Sequence, residues 1–308
     1  EAKTDFKAIK FTETCMGTDF TILIDHPNIN IAKKAAAKAF KEAHRLDQIL
    51  SDYIGESELS KLSQNSGSSK FYPLSNDLFE VLAASQKLAI ETGGAFDITI
   101  GPFSRLWRIA RFRKILPDNE KLTSTQERVG YEKLILDYEK KEAQLLEKAM
   151  VLDLGGIAKG YAADQMLKIL KQIGVCRVLI NAGGDILLGD APRGRNGWRI
   201  EIGGRMHPDL PTLAISNIAI ATSGDFEQSV TLNDQTFSHL INPFTGIGLT
   251  NLSQVTVLAP TAMTADSLAS ACLVLGSQKG LQYLKSKQNI QAFFLEKIDN
   301  GAKLYRTN

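Results

Sequence analysis

The chain has 308 residues, enough for one large domain or two ordinary ones and for a sizeable buried core. Apolar residues make up 44% and charged residues 23%, the balance of a globular chain rather than a disordered or fibrous one. A formal net charge of only +2 argues against nucleic acid or an anionic membrane as the main partner, and no run of roughly 18 apolar residues is there to span a bilayer.

Residues 6–25 alternate and carry Phe, Thr and Ile, which predicts a hairpin bent at Met16-Gly17. Ile31, Ala35, Ala39, Ala43, Leu46 and Leu50 recur with helical spacing, so a long amphipathic helix is expected over 31–53. Residues 64–70 read as a surface loop, and 77–91 as a second helix closed by Gly93-Gly94. The basic stretch 105–113 is rich in helix formers. A short apolar strand is expected over 150–154, then a helix over 157–173 that Gly174 stops. Strands follow at 175–181 and 185–188, and the β pattern continues through 198–202 and 214–222. A strand at 254–259 leads into a helix from Ala262 to Leu275, ended by Gly276. With no repeat and no regular βαβ alternation, the order predicts an α+β fold rather than a doubly wound sheet. Cys15, Cys176 and Cys272 are far apart and form no CxxC; they are expected as small buried hydrophobes, not as a zinc site built from cysteines.

Five segments carry polar chemistry at turns. In Asp153-Leu154-Gly155-Gly156-Ile157-Ala158-Lys159 an acid ends an apolar run, two glycines turn the chain, and a helix opens with a lysine in its first turn. Glycines allow close backbone approach and a helix N-terminus favours anions, so this turn suits a pyrophosphate; an ordinary strand-to-helix turn has the same shape. It matches neither a P-loop nor the GxGxxG fingerprint. Thr92-Gly93-Gly94-Ala95-Phe96-Asp97 presents an acid after a helix end, readable as a ligand acceptor or as a plain C-cap. Asn181-Ala182-Gly183-Gly184-Asp185 is a second Gly-Gly-Asp turn, and Thr222-Ser223-Gly224-Asp225 offers hydroxyls. His239, among four histidines, sits in the polar segment Ser238-His239-Leu240-Ile241-Asn242-Pro243-Phe244-Thr245-Gly246, as a base or a structural histidine. Asp266 and Ser270 are i and i+4 on one helix, both hard oxygen ligands suited to Mg²⁺; Asp266 is equally at home as a first-turn acid.

Taken in order, TGGAFDIT, VLDLGGIAKGYAAD, NAGGD, TSGD, SHLINPFTG and TADSLASA resemble the ApbE family of FAD:protein FMN transferases, over about residues 14–276. The resemblance implies a T-fold-like α+β domain over 1–308, with mixed sheets and flanking helices in two sub-structures around a central FAD cleft. It implies FAD contacts at Met16, Tyr53, Ala95, Phe96, Asp97, Asp153, Lys159 and Leu240. Mg²⁺ ligands are implied at Gly156 (through its carbonyl), Asp266 and Ser270, where the family usually has threonine, with Asp266 and His239 as catalytic residues and His239 as the base. The implied reaction moves FMN from FAD to a Thr or Ser hydroxyl of an acceptor protein and releases AMP. The alternatives are an FAD pyrophosphatase and a non-catalytic flavin-binding protein; nothing in these residues suggests thiamine synthesis. Acceptors expected from the resemblance are subunits of membrane redox complexes, and the expected location is the periplasmic face of the bacterial envelope. The chain starts at Glu1, and a secretory signal or lipid anchor in the precursor belongs to the same expectation.

Overall fold

The computed structural model describes residues 7–202, 212–224, 229–233, 235–250, 253–298 and 301–307. Seven α-helices are seen among them: α1 Ile29–Leu50, α2 Glu58–Gln64, α3 Asn76–Glu91, α4 Gly101–Arg113, α5 Asn119–Gln126, α6 Ala158–Gln172 and α7 Ala262–Leu284. The strands are β1 Ile9–Cys15, β2 Thr18–Ile24, β3 Tyr72–Pro73, β4 Leu134–Asp137, β5 Glu142–Leu145, β6 Val178–Ala182, β7 Asp185–Leu188, β8 Trp198–Glu201, β9 Thr212–Ile215, β10 Ala219–Gly224, β11 Ser229–Leu232, β12 Gln235–Ser238, β13 Ser253–Ala259, β14 Gln291–Ile298 and β15 Gly301–Arg306. Helices and antiparallel strands are mixed as an α+β fold, as the order of elements predicts.

One antiparallel sheet of eight strands, ordered β1-β2-β6-β7-β10-β13-β14-β15, forms the backbone of the molecule. Its alternating residues divide the interior in two. Ile22, Ile180, Val257 and Phe294 join Ala35, Ala39, Ala162, Met166, Ala265 and Ala269 in the main core, which packs α1, α6 and α7 against one face. Leu23, Leu179, Ile220 and Phe293 point the other way, onto Trp198 and Ile200 of the β8–β9 ribbon. A third cluster joins Phe103 and Trp107 of α4 to Val230, Leu232 and Phe237 of the β11–β12 ribbon. Among the described residues, no helix is long and apolar enough to cross a membrane.

Alanine-rich helix faces let α1, α6 and α7 approach closely, and Gly160 takes this furthest. A Cβ there would lie 2.3 Å from the Ala262 carbonyl oxygen and 2.7 Å from the Met263 nitrogen. Asp164, one turn on, caps α7 by accepting the Ala262 and Met263 N–H groups at 2.8 and 2.9 Å. Gly160→Ala should therefore destabilise the fold although alanine raises helix propensity by about 1 kcal/mol. Forcing two helix backbones apart costs about 1–3 kcal/mol or more. A lower urea midpoint with an unchanged m-value is the expected result; an unchanged midpoint would show that the helices part freely.

Four spans differ from the sequence expectation. The hairpin turns at Met16-Gly17 as predicted, with φ of 51° and 74°, although Phe6 lies outside the described residues. The first helix stops at Leu50, capped by Ser51, so Tyr53 stands beyond it. Residues 150–154 form no strand and join no ladder: the Leu152 N–H donates to Ser63 Oγ at 3.1 Å and the Asp153 N–H to the Ile98 carbonyl at 2.8 Å. Their apolar side chains fill the core between α2 and the 98–100 turn, which a run of apolar letters cannot distinguish from a strand. The stretch 214–222 breaks at Asn217 (φ 53°), whose N–H bonds to the Gly189 carbonyl, so β9 pairs with β8 while β10 enters the large sheet. Gly276 (φ 74°) kinks the last helix rather than ending it, and the turns resume to Leu284. Of the cysteines, Cys15 and Cys272 are buried and Cys176 is half-buried; all three are free thiols.

Candidate active site

Four of the predicted turns meet at one cleft of about 980 Å³. The first leaves α3 at Thr92, whose hydroxyl donates to the Leu88 carbonyl at 2.7 Å and accepts the Phe96 N–H at 3.2 Å. Gly93 and Gly94, at φ of 59° and 88°, reverse the chain and lead into the buried run Ala95-Phe96-Asp97. Asp97 Oδ1 accepts the Thr99 N–H at 2.8 Å and its hydroxyl at 2.7 Å. Burial pushes the Asp97 carboxyl up to about 6.

The second turn is tied to the first through the Asp153 N–H bond to Ile98. Asp153 Oδ1 accepts the Gly155 N–H at 2.8 Å, bending the chain into α6. The N-cap residue of α6, Ile157, makes no side-chain bond to the helix, and the positive end of the α6 dipole lies behind Gly155 and Gly156, which line the cleft. Gly156 lies against Ser270: a Cβ on it would stand 2.8 Å from Ser270 Oγ. Ser270 Oγ is in turn 3.3 Å from Ser223 Oγ on β10.

Lys159, in the first turn of α6, joins the third turn to α7. Its Nζ lies 2.7 Å from Asp185 Oδ2 and 3.7 Å from Asp266 Oδ2, and the Gly160 N–H donates to the same Asp266 oxygen at 3.3 Å. Burial opposes the lysine charge, but the Asp266 and Asp185 carboxylates outweigh it and hold Lys159 above the ordinary lysine range. Burial pushes the Asp266 carboxyl up to about 7 in spite of the ammonium. One ammonium cannot neutralise two buried carboxylates, so the deeper one keeps a proton or takes a second cation.

The fourth turn carries His239. Ser238 Oγ accepts the Leu240 N–H at 3.0 Å and Asn242 Oδ1 the Phe244 N–H at 2.9 Å. α4 grips this loop at both ends: Trp107 Nε1 donates to the Gly246 carbonyl at 2.7 Å, and Arg111 to the Ser238 carbonyl at 3.3 Å. Gly246 (φ 66°) sits so close to Phe103 that a Cβ would come within 2.2 Å of the ring.

Tyr53, Ala95, Phe96, Asp97, Asp153, Gly156, Lys159, His239, Leu240, Asp266 and Ser270 all line this cleft. Met16 does not. It sits at the hairpin tip, half-buried against the main core, with its N–H 3.3 Å from Asp47 Oδ2. Of the TSGD segment, Thr222, Ser223 and Gly224 line the cleft, and Asp225 lies outside the described residues. Sequence reasoning missed Asp52, Trp107, Arg108 and Arg111. Arg108 pairs with Asp52 at 2.7 Å, stands 3.8 Å from Asp153, and lies 4.0 Å from the centre of the Tyr53 ring. Burial and the Asp153 charge push the Asp52 carboxyl up, against the pull of Arg108. The available signal was Arg108 and Arg111 at i and i+3, beside an apolar Phe103–Trp107 stripe.

The donors on Asp266, Ser270 and Gly156 are all oxygens, and the buried Asp266 carboxylate shares its one ammonium neighbour with Asp185. That set fits Mg²⁺ and is a poor match to softer metals.

A mixed antiparallel α+β frame thus gathers acid–glycine turns, a helix N-terminus, Lys159 and His239 around one polar cleft, the arrangement of a ligand-binding enzyme site. The sequence profile of the ApbE family matches residues 16–294, and the chain belongs to that family. The FAD:protein FMN transferase of Haemophilus influenzae is 31% identical over 317 residues, covering 96% of this chain and 88% of the relative. The Vibrio cholerae protein of the same name is 30% identical over 303 residues, with 95% and 89% covered. Among solved structures, the flavin transferase ApbE from Vibrio cholerae superposes with a TM-score of 0.87 at 29% identity, covering 99% of this chain and 98% of that one. The apo flavinyl transferase ApbE of Pseudomonas stutzeri gives 0.85 at 25% identity, with 100% and 97% covered.

Proposed function

We propose that this chain is an Mg²⁺-dependent FAD:protein FMN transferase that attaches FMN to a Thr or Ser hydroxyl of an acceptor protein. The observation that carries this reading is the meeting of Gly156, Lys159, Asp266 and Ser270 with His239 around one cleft. The acceptor oxygen attacks the phosphorus on the FMN side of FAD, the bridging P–O bond breaks, and AMP leaves with the bridging oxygen. Little covalent help is needed; positioning and charge neutralisation do most of the work.

The surroundings of each residue support the role proposed for it. The α6 N-terminus and Lys159 face the diphosphate, an anion that Asp153, Asp185 and Asp266 alone would repel. Gly156, Asp266 and Ser270 would hold the Mg²⁺, which when bound neutralises charge on the transferred phosphoryl group. Asp97 and Asp153 accept hydrogen bonds from the flavin nucleotide, and the Tyr53 ring, backed by Arg108, offers it a flat surface. His239 takes the proton of the attacking hydroxyl, and the Trp107 and Arg111 bonds fix the loop that carries it.

The acceptor is a subunit of a membrane redox complex and the reaction belongs to the periplasmic face of the bacterial envelope, with a lipid anchor on the precursor. This part rests on the family resemblance, and fractionation of cells carrying the native gene tests it. The direct test is mass spectrometry of a candidate acceptor after incubation with the protein, FAD and Mg²⁺. One FMN phosphoester on Thr or Ser, with one AMP released per ester, is the expected product. AMP and free FMN in equal amounts with no ester would instead make the chain a pyrophosphatase, with water as nucleophile. Retained FAD with no AMP would make it a carrier.

A further inference from the structure

A second group of metal-ligating side chains lies outside the cleft, where β1 meets α1. Cys15 ends the strand, Glu13 precedes it by two residues on the same face, and His44 projects from the helix. Cys15 Sγ is 3.6 Å from His44 Nε2, and Glu13 Oε2 is 2.9 Å from the same nitrogen. All three ligand atoms fall within 4.8 Å of one another. Nothing in the flavin chemistry uses them.

The spacing has a metric meaning. With Zn–S near 2.3 Å and Zn–N near 2.0–2.1 Å, a tetrahedral site has an S···N edge of about 3.6 Å. Cys15 and His44 already stand at that separation. The N···O edge of such a site is about 3.4 Å, so the Glu13 carboxylate has to back away by about 0.5 Å. That is easy for a side chain that is 45% exposed. Asp47, one turn beyond His44, holds the Met16 N–H and adds another carboxylate near the thiol, so the pocket is electronegative. His44 is half exposed, which leaves the fourth position to water.

We propose that Glu13, Cys15 and His44 bind one divalent transition metal of the zinc type, pinning the Met16 hairpin tip to α1. Thiolate and imidazole ligands select zinc-like ions over Mg²⁺, so this site and the oxygen donors of Gly156, Asp266 and Ser270 suit different metals. Binding breaks the Cys15 S–H bond and sends its proton to solvent, moves the hydrogen that His44 Nε2 shares with Glu13 to Nδ1, and forms metal–sulfur and metal–nitrogen bonds with no change of oxidation state.

The test uses the whole chain, freed of metal with a chelator and titrated with Co²⁺. One equivalent is expected to produce a thiolate-to-cobalt charge-transfer band in the near ultraviolet, which Zn²⁺ bleaches. Cys15→Ser should remove the band, and His44→Gln should weaken Co²⁺ binding by at least the roughly 10–100-fold that loss of even an outer-shell partner costs. Asp266→Ala should leave the band intact, so the result is independent of transferase activity. Zn²⁺ should also raise the Tm of the unaltered protein and not that of the His44→Gln variant. Absence of a thiolate band, a band that survives Cys15→Ser, or unchanged Co²⁺ affinity in His44→Gln overturns the proposal. If Cys15→Ser does not fold, the His44→Gln titration decides alone.

Discussion

Asp266→Ala is expected to lower FMN transfer by about 10²–10³-fold or more at saturating Mg²⁺, at least what removal of one preorganised charge-stabilising group costs an active site. The carboxylate is 3% exposed and shares the Lys159 ammonium with Asp185. Without it, the ammonium belongs to Asp185 alone, and Ser270 and the Gly156 carbonyl remain as neutral donors unable to hold a divalent cation against water. Asp266→Asn keeps the size and removes the charge, and should lose as much activity while folding normally. FAD binding, followed by flavin fluorescence, should fall less than turnover, since Asp97, Asp153 and the α6 N-terminus remain. Near-normal turnover in either variant would remove Asp266 from the metal site. The raised Asp266 carboxyl adds a pH signature. Its folded value of about 7 lies above the ordinary carboxylate value near 3.9, so the folded protein holds an extra proton between these limits. Metal-free stability should accordingly fall as pH rises through that window. Mg²⁺ competes with the proton, so its apparent affinity should rise by about tenfold from pH 6 to pH 8, a change measurable by Mg²⁺-dependent shifts in Tm.

His239→Ala is expected to cut transfer by about 10²–10⁴-fold, the usual contribution of a positioned general base, with FAD affinity changed only a few-fold. The separation follows from placement. His239 lies on the loop after β12, held by α4 through Trp107 and Arg111, while Asp97, Asp153 and Lys159 come from other elements. Its removal should therefore leave the nucleotide seated and slow the step that deprotonates the acceptor hydroxyl. Release of AMP to water, measured without acceptor, separates this from a general loss of fold. Equal loss of FAD binding and transfer would make His239 a structural residue, and unchanged transfer would remove it as the base.

Much of this site is legible in the chain because it is built from local devices. A Gly-Gly pair after a helix, an acid before a helix start, and Asp266 four residues before Ser270 are written over fewer than ten letters. The Met16-Gly17 turn, the helices α3 and α6 and the strand β7 come from the same kind of information, period and turn chemistry. At Met16, where the resemblance implies a flavin contact, this information gives the turn alone; the folded chain adds its neighbours, with its N–H 3.3 Å from Asp47 Oδ2.

What the sequence determined by itself is therefore the set of turns and helices and the identity of the polar groups they carry. Tertiary structure decided which of those groups meet: the Gly160 N–H reaches Asp266 across 106 residues, and Lys159 reaches Asp185 across 26. It also placed Arg108 between Asp52 and Asp153, and Cys15 beside His44. A strand is expected over residues 150–154, yet they fill a core without joining a sheet, which only packing decides. The physical reason is range. Backbone dihedrals and hydrophobic period are set by neighbours in the chain, whereas burial, charge sharing and ligand geometry depend on which surfaces pack together, and short-range patterns carry little of that information.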